Sequence, residues 1–183
     1  MGRFKKHNTI NQDFDHIYRE HSSLVYNLCL NYLQNSHDAE EVAQDVFMKV
    51  HSKLDGFRAE SELKTWIYRI TINHCYDFIK AKKSQKRFGF HLFIHTDVKE
   101  DSEVFSGFDH PGVQLENKEG MERIFKCINR LPERQKTALL LKTMDGLSQK
   151  ELADVMGQSE KAVESLLSRA RANLKTELKK NEG

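Results

Sequence analysis

Residues 147–178 read LSQKELADVMGQSEKAVESLLSRARANLKTEL, a pattern typical of two helices joined by a tight turn. Ser148, followed three positions later by Glu151, forms the sequence of a capping box, which starts a helix. Gly157 ends that helix, because glycine tolerates the positive φ found just after many helices. Ser159 caps a longer second helix after a turn of about three residues, so the stretch predicts a helix-turn-helix.

The second of these helices carries polar and basic side chains away from its apolar positions. A helix of this size fits the major groove of DNA, where its first turns reach base edges and its arginines meet phosphates. An ordinary helical hairpin with solvated charges is the alternative for this stretch taken alone. We predict DNA binding through Lys161, Ser165, Ser168, Arg169 and Arg171.

The charge of the chain is segregated along its length. The 183 residues leave room for one large or two small domains, and the formal net charge is only +2. Residues 62–87 contain seven basic and two acidic side chains, whereas residues 84–117 contain three basic and six acidic ones. This distribution is typical of a nucleic-acid-binding protein with an acidic connector.

The cysteine and histidine content limits the other classes of protein and site. Cys29, Cys75 and Cys127 are odd in number and far apart, which fits a reducing compartment and does not suggest a disulfide framework. His91 and His95 have the helical spacing of metal ligands but no evident third ligand, so we expect no metal and no cofactor. No apolar run approaches a membrane span, and the N-terminus lacks the apolar segment of a signal peptide. The expectation is a cytoplasmic protein without membrane insertion.

Three helices are predicted in the N-terminal half. The first covers residues 12–34, the second is capped by Asp38 with Glu41, and the third runs from near Ser61 to about Lys83. The second helix has one apolar face and one face that carries acids and Met48. Solvent exposure explains the acids, whereas an exposed methionine beside them favours a partner-binding surface.

The third helix places Asn73, Asp77 and Lys80 on one face, because they are spaced at i, i+4 and i+7. A basic face with a nearby Trp66 suits single-stranded DNA, where bases stack and phosphates meet cations. The alternative for Trp66 is a simple core position. We expect Asp77 to accept a hydrogen bond from a base amine or to form a salt bridge with Lys80 or Arg69.

Residues 84–117 lack sustained periodicity and predict a flexible linker. Helix returns near Leu115, and Pro132 restarts the chain at a first helical turn. The predicted fold class is therefore all-α, with two small helical domains joined by a flexible linker and a helix-turn-helix in the C-terminal one.

Four segments in order carry a resemblance to a known family. They are DAEEVAQDVFMKV at 38–50, WIYRITINHCYDFIK at 66–80, RLPERQKTALLLKTMDGLSQKELADVMG at 130–157 and SEKAVESLLSRARANLK at 159–175. With a variable linker between them, they resemble the extracytoplasmic-function (group IV) sigma factors of the bacterial sigma-70 family. The resemblance extends from about residue 12 to residue 178.

This resemblance implies a sigma factor, which is not an enzyme but directs RNA polymerase to promoters and promotes strand opening. Region 2 would cover residues 12–83, a linker 84–119 and region 4 residues 120–178. The implied partners are core RNA polymerase, through its β′ clamp helices and β flap, promoter DNA and an anti-sigma factor.

The resemblance also implies three sets of site residues. The set that binds the −10 element comprises Phe57, Arg58, Lys64, Trp66, Asn73, Asp77 and Lys80. The set that binds the −35 element comprises Ser159, Lys161, Ala162, Glu164, Ser165, Ser168, Arg169 and Arg171. The set that binds polymerase comprises Asp38, Glu41, Gln44, Asp45, Phe47 and Met48.

The sequence departs from the family pattern in two places. Residues 162–167 read AVESLL where family members often read TVKSRL, so two expected basic residues are missing from the recognition helix. Lysines 80, 82 and 83 replace arginines, which keeps the charge but loses bidentate geometry. A stand-alone helix-turn-helix regulator with an N-terminal helical sensor domain is the alternative function, and an enzyme is a third class without a motif to support it.

Overall fold

The computed structural model describes the backbone of residues 3–57, 61–91 and 118–180, and the side chains of residues 14–57, 61–85 and 118–180. Within these ranges the chain is helical and contains no strand. The α-helices are α1 (Arg3–Leu33), α2 (Ser36–Lys53), α3 (Leu63–His91), α4 (Lys118–Asn129), α5 (Glu133–Thr143), α6 (Gln149–Met156) and α7 (Glu160–Lys180), and a short 3-10 helix spans Leu54–Gly56. The predicted all-α fold class is confirmed.

The described residues fall into two compact units. The first contains α1, α2 and α3 from Ile70 onward, and the second contains Phe57–Arg69 with α4 to α7. The predicted functional boundaries at 12–83, 84–119 and 120–178 stay predictions, because compactness does not identify the segment that binds polymerase or DNA. In the described ranges, no helix combines the length and the apolar character that a membrane crossing needs.

The core of the first unit lies between α1, α2 and α3. Val25 and Leu28 of α1 and Val46 of α2 are completely buried, as the helical spacing of apolar residues predicts. Tyr32 packs edge to face against Tyr76 of α3, with ring centroids 5.6 Å apart. Burial of these stripes, rather than helix propensity, supplies most of the stability of such helices.

The predicted cap of α2 is wrong. The helix starts at Ser36, and the side chain of Asn35 caps it by accepting a hydrogen bond from the Asp38 backbone N–H at 2.9 Å. Asparagine is among the strongest N-caps, so the cap lies three residues earlier than Asp38. The Asp38 carboxylate instead forms an ion pair with Lys82 Nζ of α3 at 2.5 Å.

Helix α3 is longer than predicted. It continues from Leu63 to His91, so the first residues of the predicted linker are helical. The reason is local, because residues 84–88 contain no proline or glycine to stop the helix. Residues 92–117 of the predicted linker lie outside the described ranges, and its last two residues, 118 and 119, belong to the first turn of α4.

The second unit has its core around α5, α6 and α7. Phe125, Leu140, Leu152 and Val163 are completely or almost completely buried there. Helix α5 begins at Glu133, so Pro132 lies one position earlier than the predicted first turn and is the N-cap residue, at φ −52° and ψ 141°. These contacts hold the helix-turn-helix against a supporting pair of helices.

Candidate functional site

The corner of the helix-turn-helix has the predicted local chemistry. The Ser148 hydroxyl accepts from the Glu151 backbone N–H at 3.2 Å, and the Glu151 carboxylate accepts from the Ser148 N–H at 2.8 Å. Gly157 ends α6 in the left-handed conformation, at φ 62° and ψ 40°. The Ser159 hydroxyl accepts from the Ala162 N–H at 3.3 Å and so caps α7. The predicted helix–turn–helix arrangement is confirmed.

One side of α7 is fixed in the core and the other is open to solvent. Val163, Leu167 and Ala170 are buried, which fixes the rotation of the helix about its axis. The predicted −35 residues are consequently exposed, except for the half-buried Ala162; the exposed ones are Ser159, Lys161, Glu164, Ser165, Ser168, Arg169 and Arg171. This open face presents three cations and one carboxylate, a balance that suits the phosphates along a DNA groove.

Arg169 already has acceptors within its own helix. Its Nε donates to the Ser165 carbonyl oxygen, and a terminal nitrogen donates to the Ser165 hydroxyl, each at 3.2 Å. Both groups are exposed, so water or a phosphate can replace these bonds at little net cost. The sequence did not predict this pairing, which couples two of the candidate DNA-binding residues.

The predicted −10 face on α3 lies in the first unit. Asn73, Asp77 and Lys80 are all exposed there. Among the described residues Asp77 forms no ion pair, so the predicted salt bridge to Lys80 or Arg69 is absent. Arg69 instead donates to the backbone oxygens of Val155 and Asp154, at 3.2 and 2.5 Å. The carboxylate of Asp77 is therefore left to solvent or to a ligand.

The aromatic part of the −10 set lies in the second unit. Trp66 is half-buried, and its ring centroid lies 5.0 Å from that of Phe57, with the rings tilted at 41°. It is thus neither a fully buried core residue nor a free stacking platform. Lys64 is exposed, and Arg58 lies outside the described residues.

A half-buried carboxyl group whose pKa is affected by Lys64 was not predicted. Asp145 lies in the turn before the helix-turn-helix, where burial raises its pKa to about 6 and the charge of Lys64 acts in the opposite direction. Its Oδ2 atom is buried and accepts no hydrogen bond from the described residues. Burial, and then the charges of Asp145 and Glu151, raise the pKa of the buried Tyr68 hydroxyl. The Asp-Gly turn gave no sequence signal for this environment.

The predicted polymerase-binding residues form an exposed face of α2. Glu41, Gln44, Asp45 and Met48 are exposed, and Met48 keeps 70% of its surface in solvent. Two members of the set differ. Phe47 is only 6% exposed and packs against Tyr18, with ring centroids 4.7 Å apart, whereas the half-buried Asp38 is paired with Lys82.

One group of side chains on α2 has the composition of a cation site. Ligand atoms of His37, Asp38 and Glu41 lie within 4.8 Å of one another. The ammonium group of Lys82 already neutralises Asp38, and a cation would have to displace it. We therefore assign no metal to this group. The His91 side chain and His95 lie outside the described residues, so the expected absence of a metal site there stays a prediction.

Comparison with known proteins adds to this geometry. Residues 17–85 match the family described as Sigma-70 region 2, and residues 121–174 match Sigma-70, region 4. The chain is 32% identical to the RNA polymerase sigma-H factor of Pseudomonas aeruginosa, over 86% of this chain and 82% of that protein. It is 30% identical to the ECF RNA polymerase sigma-E factor of Escherichia coli K12, over 74% and 71% of the two chains.

A solved structure shares the fold. It is the sigma factor RpoE of Bartonella quintana in complex with the anti-sigma factor NepR, with a TM-score of 0.63 and 24% identity. The match covers 92% of this chain and 98% of the other. At this identity the likeness concerns the fold alone.

Proposed function

Because this chain belongs to the extracytoplasmic-function group of the sigma-70 family, we propose that it binds core RNA polymerase, directs it to specific promoters and promotes strand opening. It performs no catalysis of its own and acts in the cytoplasm. One observation carries the proposal: a single chain combines an exposed basic face on α7 with an exposed acidic face on α2 that ends in Met48. A stand-alone regulator has no need of the second surface.

Recognition of the −35 element is assigned to α7. Its first turns would meet base edges through Lys161 and Ser165, while Arg169 and Arg171 would contact phosphates. The buried Val163 and Ala170 support this assignment, because they hold the polar side of the helix outward. Glu164 fits a contact with a cytosine amine, since a carboxylate accepts hydrogen bonds and repels phosphate.

Recognition of the −10 element is assigned to α3 and to the residues before it. Asn73 offers both a donor and an acceptor to an unpaired base, and Lys80 offers a cation to a phosphate. Asp77 has no ion-pair partner among the described residues, which favours its use as an acceptor for a base amine. Trp66 and Phe57 present a tilted aromatic pair, and Lys64 and Arg58 complete the set.

Polymerase docking is assigned to α2. Glu41, Asp45 and Met48 follow one another at helical spacing, so they offer two carboxylates and a flexible apolar side chain along one line. This composition suits a basic and apolar groove such as the β′ clamp helices would provide, and region 4 would meet the β flap. The buried Phe47 acts indirectly, by holding α2 against Tyr18.

Control by an anti-sigma factor is part of the proposal. The solved structure with the same fold is a complex with an anti-sigma factor, and such a protein would act by covering the surfaces named above. The chain described here would therefore exist in a free and a sequestered form.

The docking assignment is tested with purified full-length protein and core RNA polymerase. Asp45→Lys should weaken binding to core, because it reverses a charge on the proposed surface without disturbing a buried residue. Asp15→Lys makes the same change at an exposed position of α1 and serves as the matched control. Binding is measured by titration of labelled protein with core, and circular dichroism checks the folding of both variants.

The outcomes separate the assignments. Loss of affinity in Asp45→Lys alone supports α2 as the docking surface. Equal affinity of wild type and both variants would show that the surface lies elsewhere. Failure of the wild-type holoenzyme to start transcription at any promoter, in a selection from a genomic library, would overturn the proposed function itself.

A further inference from the structure

Two cysteines that are 46 positions apart in the sequence meet inside the first unit. The sulfur atoms of Cys29 in α1 and Cys75 in α3 lie 3.8 Å apart. Both side chains are completely buried, and neither cysteine is part of a disulfide. The spacing of the cysteines along the chain could not predict that these two thiols are neighbours.

The pair lies directly behind the candidate −10 face. Residues two positions apart project to opposite sides of an α-helix, so Cys75 points inward where Asn73 and Asp77 point outward. The ring contact between Tyr32 and Tyr76 adjoins the pair, so both features belong to the packed interface of α1 and α3. Movement of the sulfur atoms would therefore displace the backbone of α3, which carries the candidate −10 side chains.

We propose that Cys29 and Cys75 form a reversible oxidation site, in which a peroxide converts the two thiols into an intramolecular disulfide that weakens capture of the unpaired −10 strand. The site itself is independent of the proposed function, whereas its effect on strand capture rests on that function. Hydrogen peroxide is the oxidant because it is close to water in size. Completely buried thiols are normally unreactive, so the reaction takes place when the interface of α1 and α3 opens locally and admits the peroxide.

The reaction balances with peroxide as the only co-reactant. One sulfur attacks an oxygen of the peroxide, the O–O bond breaks, and a sulfenic acid and one water form. The second sulfur then attacks the sulfenic sulfur, the S–O bond breaks, and a second water leaves as the S–S bond forms. The two thiols lose two electrons and two protons, and the peroxide is reduced to two waters.

Formation of the bond requires movement in a packed core. A disulfide holds its sulfur atoms about 2.05 Å apart, so the pair must approach by about 1.8 Å from its separation of 3.8 Å. Side-chain rotation supplies part of this movement, and the close packing of the interior passes the rest to α1 and α3. Recognition geometry must hold within about 0.5 Å, so a shift of α3 disturbs the placement of Asn73 and Asp77.

The site is tested first by chemistry on the full-length protein. Purified protein is exposed to graded hydrogen peroxide, the peroxide is removed with catalase, and free thiols are alkylated after unfolding. Mass spectrometry of wild type and of the control Cys127→Ala should find a peptide pair linked through Cys29 and Cys75, with the loss of two hydrogen atoms. Reduction with dithiothreitol should remove the link, and Cys29→Ala and Cys75→Ala should not form it.

The wild-type protein alone can refute the site, so the test does not depend on the folding of the variants. Stable addition of oxygen to either thiol, a link that involves Cys127, or unchanged free thiols throughout the titration would each overturn it.

The effect on function is tested by assembling core polymerase with protein oxidised beforehand or kept reduced. Permanganate reactivity of promoter thymines should fall for the oxidised wild type relative to its reduced form, and dithiothreitol should restore it. Binding to a −35 duplex, which uses the other unit, should not change. Equal opening by both forms of a verified disulfide-linked protein would overturn the regulatory claim. No opening by the reduced form would instead refute the proposed function.

Discussion

The glycine at the corner of the helix-turn-helix offers the cleanest test of how the sequence determines this motif. Gly157 adopts φ 62°, a left-handed conformation that costs a residue with a side chain about 1–2 kcal/mol. An added Cβ would meet no neighbouring atom within 4 Å, so Gly157→Ala creates no clash with other residues. Its effect on stability comes from the backbone conformation alone. Alanine also lowers the conformational entropy of the unfolded chain, which stabilises the folded state by about 0.5 kcal/mol. The net loss of stability should be about 1 kcal/mol.

A second glycine supplies a control with the opposite sign. Gly120 lies in α4, and a Cβ there would also meet no atom within 4 Å. Because its conformation is helical, Gly120→Ala should stabilise the helix by about 0.5 kcal/mol. Gly157→Asn should lie between wild type and Gly157→Ala, since asparagine tolerates the left-handed region better than alanine.

Hydrogen exchange followed by mass spectrometry measures these effects in the intact protein. Peptides from α6 and α7 should exchange about fivefold faster in Gly157→Ala, the factor that corresponds to about 1 kcal/mol. Peptides from α1 and α2 provide an internal reference. Unchanged exchange in α6 and α7, or the same sign of effect for Gly120→Ala and Gly157→Ala, would refute the backbone argument.

Three further predictions concern titration and DNA contacts. The pKa of Asp145 is raised from 3.8 to about 6, so the folded state favours the protonated form and loses stability as pH rises through that interval. After a discount for partial exposure, Asp145→Asn should stabilise the protein by about 1 kcal/mol at pH 7.5 and have no such effect at pH 3.5. Thermal unfolding at the two pH values would measure the difference. Arg169→Ala and Arg171→Ala should each weaken binding to −35 duplexes by a similar factor for all sequences. Each should also lower the slope of log affinity against log salt concentration by about one. A loss of affinity that depends on the duplex sequence would assign base contacts to these arginines instead. Asn73→Ala should reduce permanganate-detected strand opening by about 1–3 kcal/mol and leave duplex binding intact, and undiminished opening at limiting holoenzyme would exclude it as a base reader.

The parts that the sequence predicted well are those in which neighbouring residues determine the structure. Ser148 and Glu151 lie three positions apart and cap the same helix turn, so their pattern needs no knowledge of the rest of the fold. The spacing of Glu41, Asp45 and Met48 likewise predicts a shared helix face, and all three are exposed. Helix periodicity therefore predicted the exposure of these three side chains.

The parts that the sequence could not predict depend on residues far apart in the chain. Arg69 donates to carbonyl oxygens 85 and 86 positions away, and nothing near Arg69 indicates those acceptors. The burial of Asp145 and the approach of Cys29 to Cys75 are of the same kind. The prediction of the N-cap of α2 was wrong for a different reason. Asparagine and aspartate are both good N-caps, so local propensity does not choose between Asn35 and Asp38.

Asp38 was predicted to cap α2 but forms an ion pair with Lys82, and this pair connects the two proposed binding surfaces of the first unit. Asp38 belongs to the set proposed to bind polymerase, and Lys82 follows the proposed −10 residues on α3, two positions after Lys80. Both side chains are largely buried, with 17% and 29% of their surface exposed, so solvent screens the pair less than it would a surface pair. The pair holds the N-terminus of α2 to α3. With α2 as the proposed docking helix and α3 as the proposed reader of the −10 strand, a partly buried link between them would hold the two helices in one relative position better than flexible surface contacts would.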